Sequence, residues 1–190
     1  MKTVWGLGIA AALAIASGAS AANFVVDAAA NSSAGGTGLS SLSFTAGQAF
    51  TVSVNPNDLW SAGALPRWSN ANGLTGNTFA TGTDESGQVA GTQIGSNFGL
   101  YTQGDLSAPY GSLVGEINGS FRLLGTNYAG TAWGTGTLKL FYWDSNNSDN
   151  SQFILASVNA VPEPESWALL IVGFGLVGAA ARRRRVTLAG

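Results

Sequence analysis

The sequence predicts an all-β protein: a single β-sandwich or jelly roll, flanked by a short apolar helix at each end. Three observations lead there. Between Asn23 and Val161 no i, i+3, i+4 apolar stripe lasts three turns. That stretch instead holds short alternating runs, separated by turns of Gly, Asn and Ser and carrying 20 glycines. Both ends of the chain are apolar segments marked by cations.

The first element is an address. Met1-Lys2 gives a positive start, Val4 to Ile15 is apolar, and Ala19-Ser20-Ala21 is an A-x-A cleavage site. This is a signal peptide over residues 1–22, read by the Sec machinery and cleaved after Ala21 or Ala22. The chain is thus expected to be exported.

Residues 23–160 are the expected sandwich domain, long enough to bury roughly two-thirds of the chain surface. Ala28 to Gly38, rich in Gly, Ala and Ser, reads as a flexible lead-in. Phe50-Thr51-Val52-Ser53-Val54 alternates cleanly, with Phe50, Val52 and Val54 on the buried face. Leu138, Leu140 and Tyr142 alternate with Lys139, Phe141 and Trp143, a strand covered on both faces. Phe153 to Val158 closes the domain, and Leu39 to Phe44, Gly111 to Ile117 and Phe121 to Leu124 are weaker strands. Asn55 to Asn77 and Thr81 to Gln103 are long loops, either functional or poorly ordered.

The last element, residues 161–190, is a second address. Pro162-Glu163-Pro164 breaks any helix and makes an extended stem. Ser166 can cap a helix over 167–181 that opens on Trp167, an interfacial aromatic. Those 15 apolar residues span roughly 22 Å at ~1.5 Å each, against a hydrocarbon core of ~30 Å. Snorkelling arginines and a thinned bilayer would cover the shortfall. Arg182, Arg183, Arg184 and Arg185 set the orientation, with the C-terminus cytoplasmic and the domain outside the inner membrane.

Stem, Trp-Ala start, Gly-rich apolar helix and arginine cluster together resemble the PEP-CTERM sorting signal, over about the last 25 residues. The resemblance implies recognition at Pro162, Glu163 and Pro164 by a membrane-embedded exosortase, which cuts near that motif. The inner-membrane anchor would then be transient, the mature domain periplasmic, surface-bound or extracellular, and the host an exopolysaccharide-making Gram-negative bacterium. Gly173, Gly175 and Gly178 also spell G-x-G-x-x-G, but inside an apolar segment where small residues serve helix packing, not nucleotide binding.

Composition narrows the chemistry. The 190 residues include 8 basic and 10 acidic ones, a formal net charge of −2, with no histidine and no cysteine. Triads that need an imidazole are excluded, as are thiolate or imidazole metal sites and disulfides. Metal ligands must be oxygens, which points to calcium or magnesium. Asn23–Val161 keeps three cations, Arg67, Arg122 and Lys139, against eight acids, so the domain stands at −5. Such a surface repels phosphate backbones, and nucleic acid is not an expected partner.

Trp143-Asp144-Ser145-Asn146-Asn147-Ser148-Asp149-Asn150-Ser151 joins two strong strands and concentrates oxygen donors. Asp144, Asn146 and Ser148 match EF-hand positions 1, 3 and 5, but Asp149 replaces the glycine and Leu155 the bidentate glutamate. The residues fit either a calcium loop or a solvated polar hairpin.

Phe44 to Val52, Pro109-Tyr110-Gly111-Ser112-Leu113-Val114-Gly115-Glu116-Ile117, and Gly136 to Leu140 running into Asp144 and Asp149-Asn150-Ser151 resemble LecA-type calcium-dependent galactose-binding lectins. The resemblance spans most of Leu39 to Val158. It implies a lectin-like sandwich with calcium held by Asp144, Asp149 and Asn150, completed by a backbone carbonyl at Ala62 or Gly63. Sugar hydroxyls would bind the ion, and Trp60 and Trp68 would line the site, unless Trp60 packs in the core. The stretch between Asp144 and Asp149 is shorter than in the galactose-binding member, and the sugar-contacting histidine is absent, so galactose itself is not implied.

A non-enzymatic, calcium-assisted carbohydrate-binding module acting on exopolysaccharide or another glycan is therefore the leading expectation. A structural matrix protein without a specific ligand is the alternative. A hydrolase with paired carboxylates ranks third: Asp84 and Glu85 are adjacent and would face opposite sides of a strand, and nothing fixes the separation of Asp58 and Asp105.

Overall fold

A computed structural model describes residues 20–161, 171–179 and 182. All strands fall within one compact unit, Ala19–Val161, while the helical residues 171–179 belong to another. The described residues are mostly β-sheet with one short helix, and the sheet follows from the missing helical stripe. In chain order the strands are β1 (Ser20–Asp27), β2 (Leu39–Phe44), β3 (Ala49–Val54), β4 (Trp60–Ser61), β5 (Trp68–Ser69), β6 (Thr78–Phe79) and β7 (Gln93–Gly95). They continue with β8 (Leu100–Gln103), β9 (Leu106–Pro109), β10 (Leu113–Ile117), β11 (Ser120–Leu123), β12 (Asn127–Thr131), β13 (Gly136–Tyr142) and β14 (Phe153–Ala160).

Two four-stranded antiparallel sheets dominate, ordered β1-β14-β3-β12 and β11-β10-β13-β2. Their alternating apolar residues meet in one core. Val26, Phe50, Val52, Val54, Ile154, Ala156 and Val158 come from the first sheet, and Phe44, Leu113, Ile117, Leu138 and Leu140 from the second. Burying side chains of this size stabilises by about 1.5–3 kcal/mol each. The outer face of β13 is covered only in part: Lys139 is exposed and Phe141 is half-buried against Phe121, while just past the strand Trp143 packs with Val114 and Ala108 beneath Tyr101, Leu106 and Phe121.

Three expectations change. Ala28–Gly38 is not a flexible lead-in: Ala28 and Ser32 are buried, and Ser33 N–H donates to the Tyr142 carbonyl at 2.8 Å. Asp27 braces its start by accepting from Ala29 and Ala30 N–H at 2.9 and 2.7 Å. The strand β1 was not anticipated, nor was β12. The long loops each contain short strands: β4 and β5 form one hairpin, and β6 pairs with β7.

Of the helix expected over 167–181, residues 171–179 are helical, with Ile171, Val172, Phe174, Leu176 and Val177 exposed. Arg182 is helical as well. Residues 1–19, and Pro162, Glu163, Pro164, Trp167, Arg183, Arg184 and Arg185, lie outside the described residues. No helix among the described residues is long and apolar enough to cross a membrane.

Candidate functional site

The oxygen-rich loop is held at both ends by strands and from the side by two distant segments. Its first residues are fixed by Ser33, whose hydroxyl donates to the Asp144 carbonyl at 3.0 Å and accepts from Asp144 N–H at 3.1 Å. Its last residues are fixed by a two-bond bridge, in which Ser61 and Ser151 exchange N–H donors at 3.0 Å each. That bridge brings the turn after β4 against the loop, so Ala62 and Gly63 lie beside Asp149. The approach requires glycine: Gly63 has φ +111°, and a Cβ there would stand 2.5 Å from Asp149 Oδ2.

The three expected ligands differ in environment. Asp144 is 5% exposed, and burial raises its carboxyl above the ordinary carboxylate range. The N–H groups of Ser145 and Asn146 and the Asn150 amide oppose that rise, while the charge of Asp149 adds to it. Asn150 is 8% exposed; its amide donates to the Ala28 carbonyl at 3.1 Å, and its Oδ1 is buried with no hydrogen-bond partner among the described residues. Asp149 is solvent-facing and accepts from Asn146 Nδ2 at 3.0 Å. A raised buried carboxyl beside an orphaned amide oxygen is an acceptor-rich site short of positive charge. No three carboxylates among the described residues are placed to hold one metal ion, so amide and carbonyl oxygens would have to complete any cation shell.

The two tryptophans are engaged in packing. Trp60 is fully buried: its indole N–H donates to the Gly111 carbonyl at 2.8 Å and its ring meets Tyr142 edge-on at 4.5 Å. It therefore has no face to offer a sugar. Trp68 is half-buried and packs on the small cluster of Leu59, Ala80 and Ile94.

The rim is made by residues that the sequence reading had not assigned to the site. Arg67 Nη1 approaches Asp149 Oδ2 and the Ala62 carbonyl at 3.4 Å each, and its guanidinium lies 4.8 Å from the Phe98 ring centroid. Phe98 meets Tyr110 edge-on at 5.1 Å, and Tyr110 reaches Ser145 Oγ at 3.5 Å. The aromatic edge of the loop is thus Phe98 and Tyr110. Tyr110 stands within one of the lectin-like segments; Arg67 is marked only by being one of three cations in the domain.

Of the acids considered for hydrolysis, Asp84, Asp58 and Asp105 are engaged in hydrogen bonds. Asp84 is held below the ordinary value of 3.8, first by the Ser86 hydroxyl, which burial opposes, and then by hydrogen bonds from Thr81. Asp58 accepts from Leu155 N–H at 2.7 Å, and Asp105 from Phe121 N–H at 3.0 Å.

Comparison with known proteins bears on both parts of the chain. Residues 160–185 match the family model of the PEP-CTERM protein-sorting motif. Among solved structures, one described as "EclA N-terminal domain; PllA-like lectin" is similar, with 18% identity and a TM-score of 0.42. The alignment covers 74% of this chain and 95% of that one. No curated protein matches.

Proposed function

We propose that this chain is an exported, exosortase-sorted surface or matrix protein whose two-sheet domain is a lectin-like sandwich, binding glycan with the help of calcium and without catalysis. The sorting motif at 160–185 supports the first half, and the exposed apolar residues of the 171–179 helix suit a transient membrane anchor. In this reading residues 1–22 are the signal peptide and Arg182–Arg185 stay cytoplasmic.

The observation that carries the second half is the orphaned Asn150 Oδ1 beside the raised carboxyl of Asp144. Asp144, Asp149 and Asn150 would hold the ion, with a carbonyl from Ala62 or Gly63. The ion would supply charge neutralisation and open positions for sugar hydroxyls. Asp144 provides the anchoring charge and Asp149 the solvent-facing one, while Phe98 and Tyr110 give a nearby apolar edge for a sugar's C–H face.

Isothermal titration of the full chain in mild detergent, first with calcium chloride and then with a glycan panel, tests both claims. Calcium is expected to bind to the wild type and to fail to bind to Asp144→Ala and Asp149→Asn, the latter a surface change that leaves folding intact. Absence of calcium binding to the folded wild type sinks the metal site. Calcium binding with no glycan response favours the ligand-free matrix role.

A further inference from the structure

We propose that a second cleft, on the turn after β3 and the segment around β6, binds a short stretch of uncharged polysaccharide without calcium. The cleft has a volume of about 690 Å³, within the range of small-molecule sites. It shares no lining residue with Asp144, Asp149, Asn150 or Gly63, and it stands independently of the calcium reading.

Its walls are braced from behind. Asn70 Nδ2 donates to the Pro56 carbonyl at 2.9 Å, Asn72 Oδ1 accepts from Thr126 N–H at 2.9 Å, and Asp58 accepts from Leu155 N–H. These bonds tie the loop walls to the segment before β12 and to β14, so the cleft is formed before any ligand arrives. Other polar lining groups are uncommitted. Asn57 contributes only its backbone N–H to the local turn, and Asn77 accepts from Gln93 at 3.3 Å and keeps its own amide hydrogens free. The hydroxyl of Thr75 and the carboxylate of Glu85 also line the cleft without an intramolecular partner among the described residues.

Phe79 supplies what polar groups cannot. Strand alternation sends Ala80 into the cluster of Leu59 and Ile94 and leaves Phe79 in the cleft wall, 54% exposed. An accessible aromatic ring surrounded by carboxamides and hydroxyls suits a pyranose, which has an apolar C–H face and a hydroxyl perimeter. Charge selects among sugars. The lining includes Asp58, Asp84 and Glu85 and no cation, which disfavours uronates and sulfated or phosphorylated chains.

Affinity electrophoresis tests this. The full chain in mild detergent is run through gels containing dissolved dextran, galactomannan or a β-glucan, with alginate as the acidic control, all with EDTA. Retardation by at least one neutral polysaccharide is expected in EDTA, and unchanged when calcium replaces the EDTA. Phe79→Ala should weaken it about tenfold and Asn57→Ala several-fold, with unaltered circular dichroism because both side chains are at the surface. Migration unaffected by every neutral polysaccharide, retardation by alginate alone, or full retention of binding by folded Phe79→Ala would overturn the proposal. Retardation that survives EDTA while calcium fails to bind would keep this cleft and discard the loop site.

Discussion

Arg67 is the cation nearest to Asp149 among the described ion pairs and would compete with the proposed calcium ion for it. Its guanidinium stands 3.4 Å from Asp149 Oδ2, with the two side chains 37% and 43% exposed. A pair this open to water is worth about 0.2–1 kcal/mol, so it does not bar an ion but opposes one. Replacing Arg67 with Gln removes a like charge from the proposed calcium shell and leaves Asp149 free. Calcium affinity should then tighten by about two- to fivefold, measured by titration calorimetry. An unchanged constant would mean that the ion, if bound, does not use Asp149. The same residue shows a limit of sequence reading. Asp144, Asp149 and Asn150 stand out because seven consecutive residues concentrate oxygen donors. Arg67 lies 82 positions from Asp149, and only the folded path of the chain brings them together.

At the scale of elements, alternation shows where a strand buries one face and little elsewhere. β3, β13 and β14 were legible because their inward residues are Phe, Val, Leu and Ile. β12 was not, since its half-buried positions are Tyr128 and Gly130, and one of those has no side chain. β1 was hidden by its alanines and by its proximity to the export segment, although Val26 is fully buried. Gly115, inside β10, illustrates how tightly the core face of the second sheet is packed: a Cβ there would lie 2.7 Å from Leu138 Cδ1 and 2.9 Å from Leu124 Cδ1. Gly115→Ala should therefore cost about 1–3 kcal/mol through overpacking, seen as a lower urea midpoint with an unchanged denaturant slope. A neutral result would show that the core there gives way more readily than its contacts suggest.

For the molecule as a whole, the proposed processing site lies close to the folded edge. The cleavage proposed after Ala21 or Ala22 would leave the pairs from Asn23↔Ser157 to Asp27↔Phe153 on the edge of the first sheet. Trimming further, to Ala28, would strip Val26 and Phe24 from the core and bare the edge of β14. A chain starting at Ala28 should lose several kcal/mol relative to one starting at Asn23, at about 1.5–3 kcal/mol per large apolar side chain, and aggregate during refolding. Equal urea midpoints for the two chains would refute this. Because β1 and β14 are antiparallel neighbours, Ser20 is registered with Ala160, and Asp27 with Phe153. The chain thus enters and leaves this domain at one pole. The loop from Asp144 to Gln152 precedes Phe153 at the opposite pole, and the Asn55–Asp58 turn follows Val54, which is registered with Ala156 nearer that same pole. Both oxygen-lined surfaces therefore lie toward the pole away from the chain's entry and exit, where a connection through either end of the domain leaves them unencumbered.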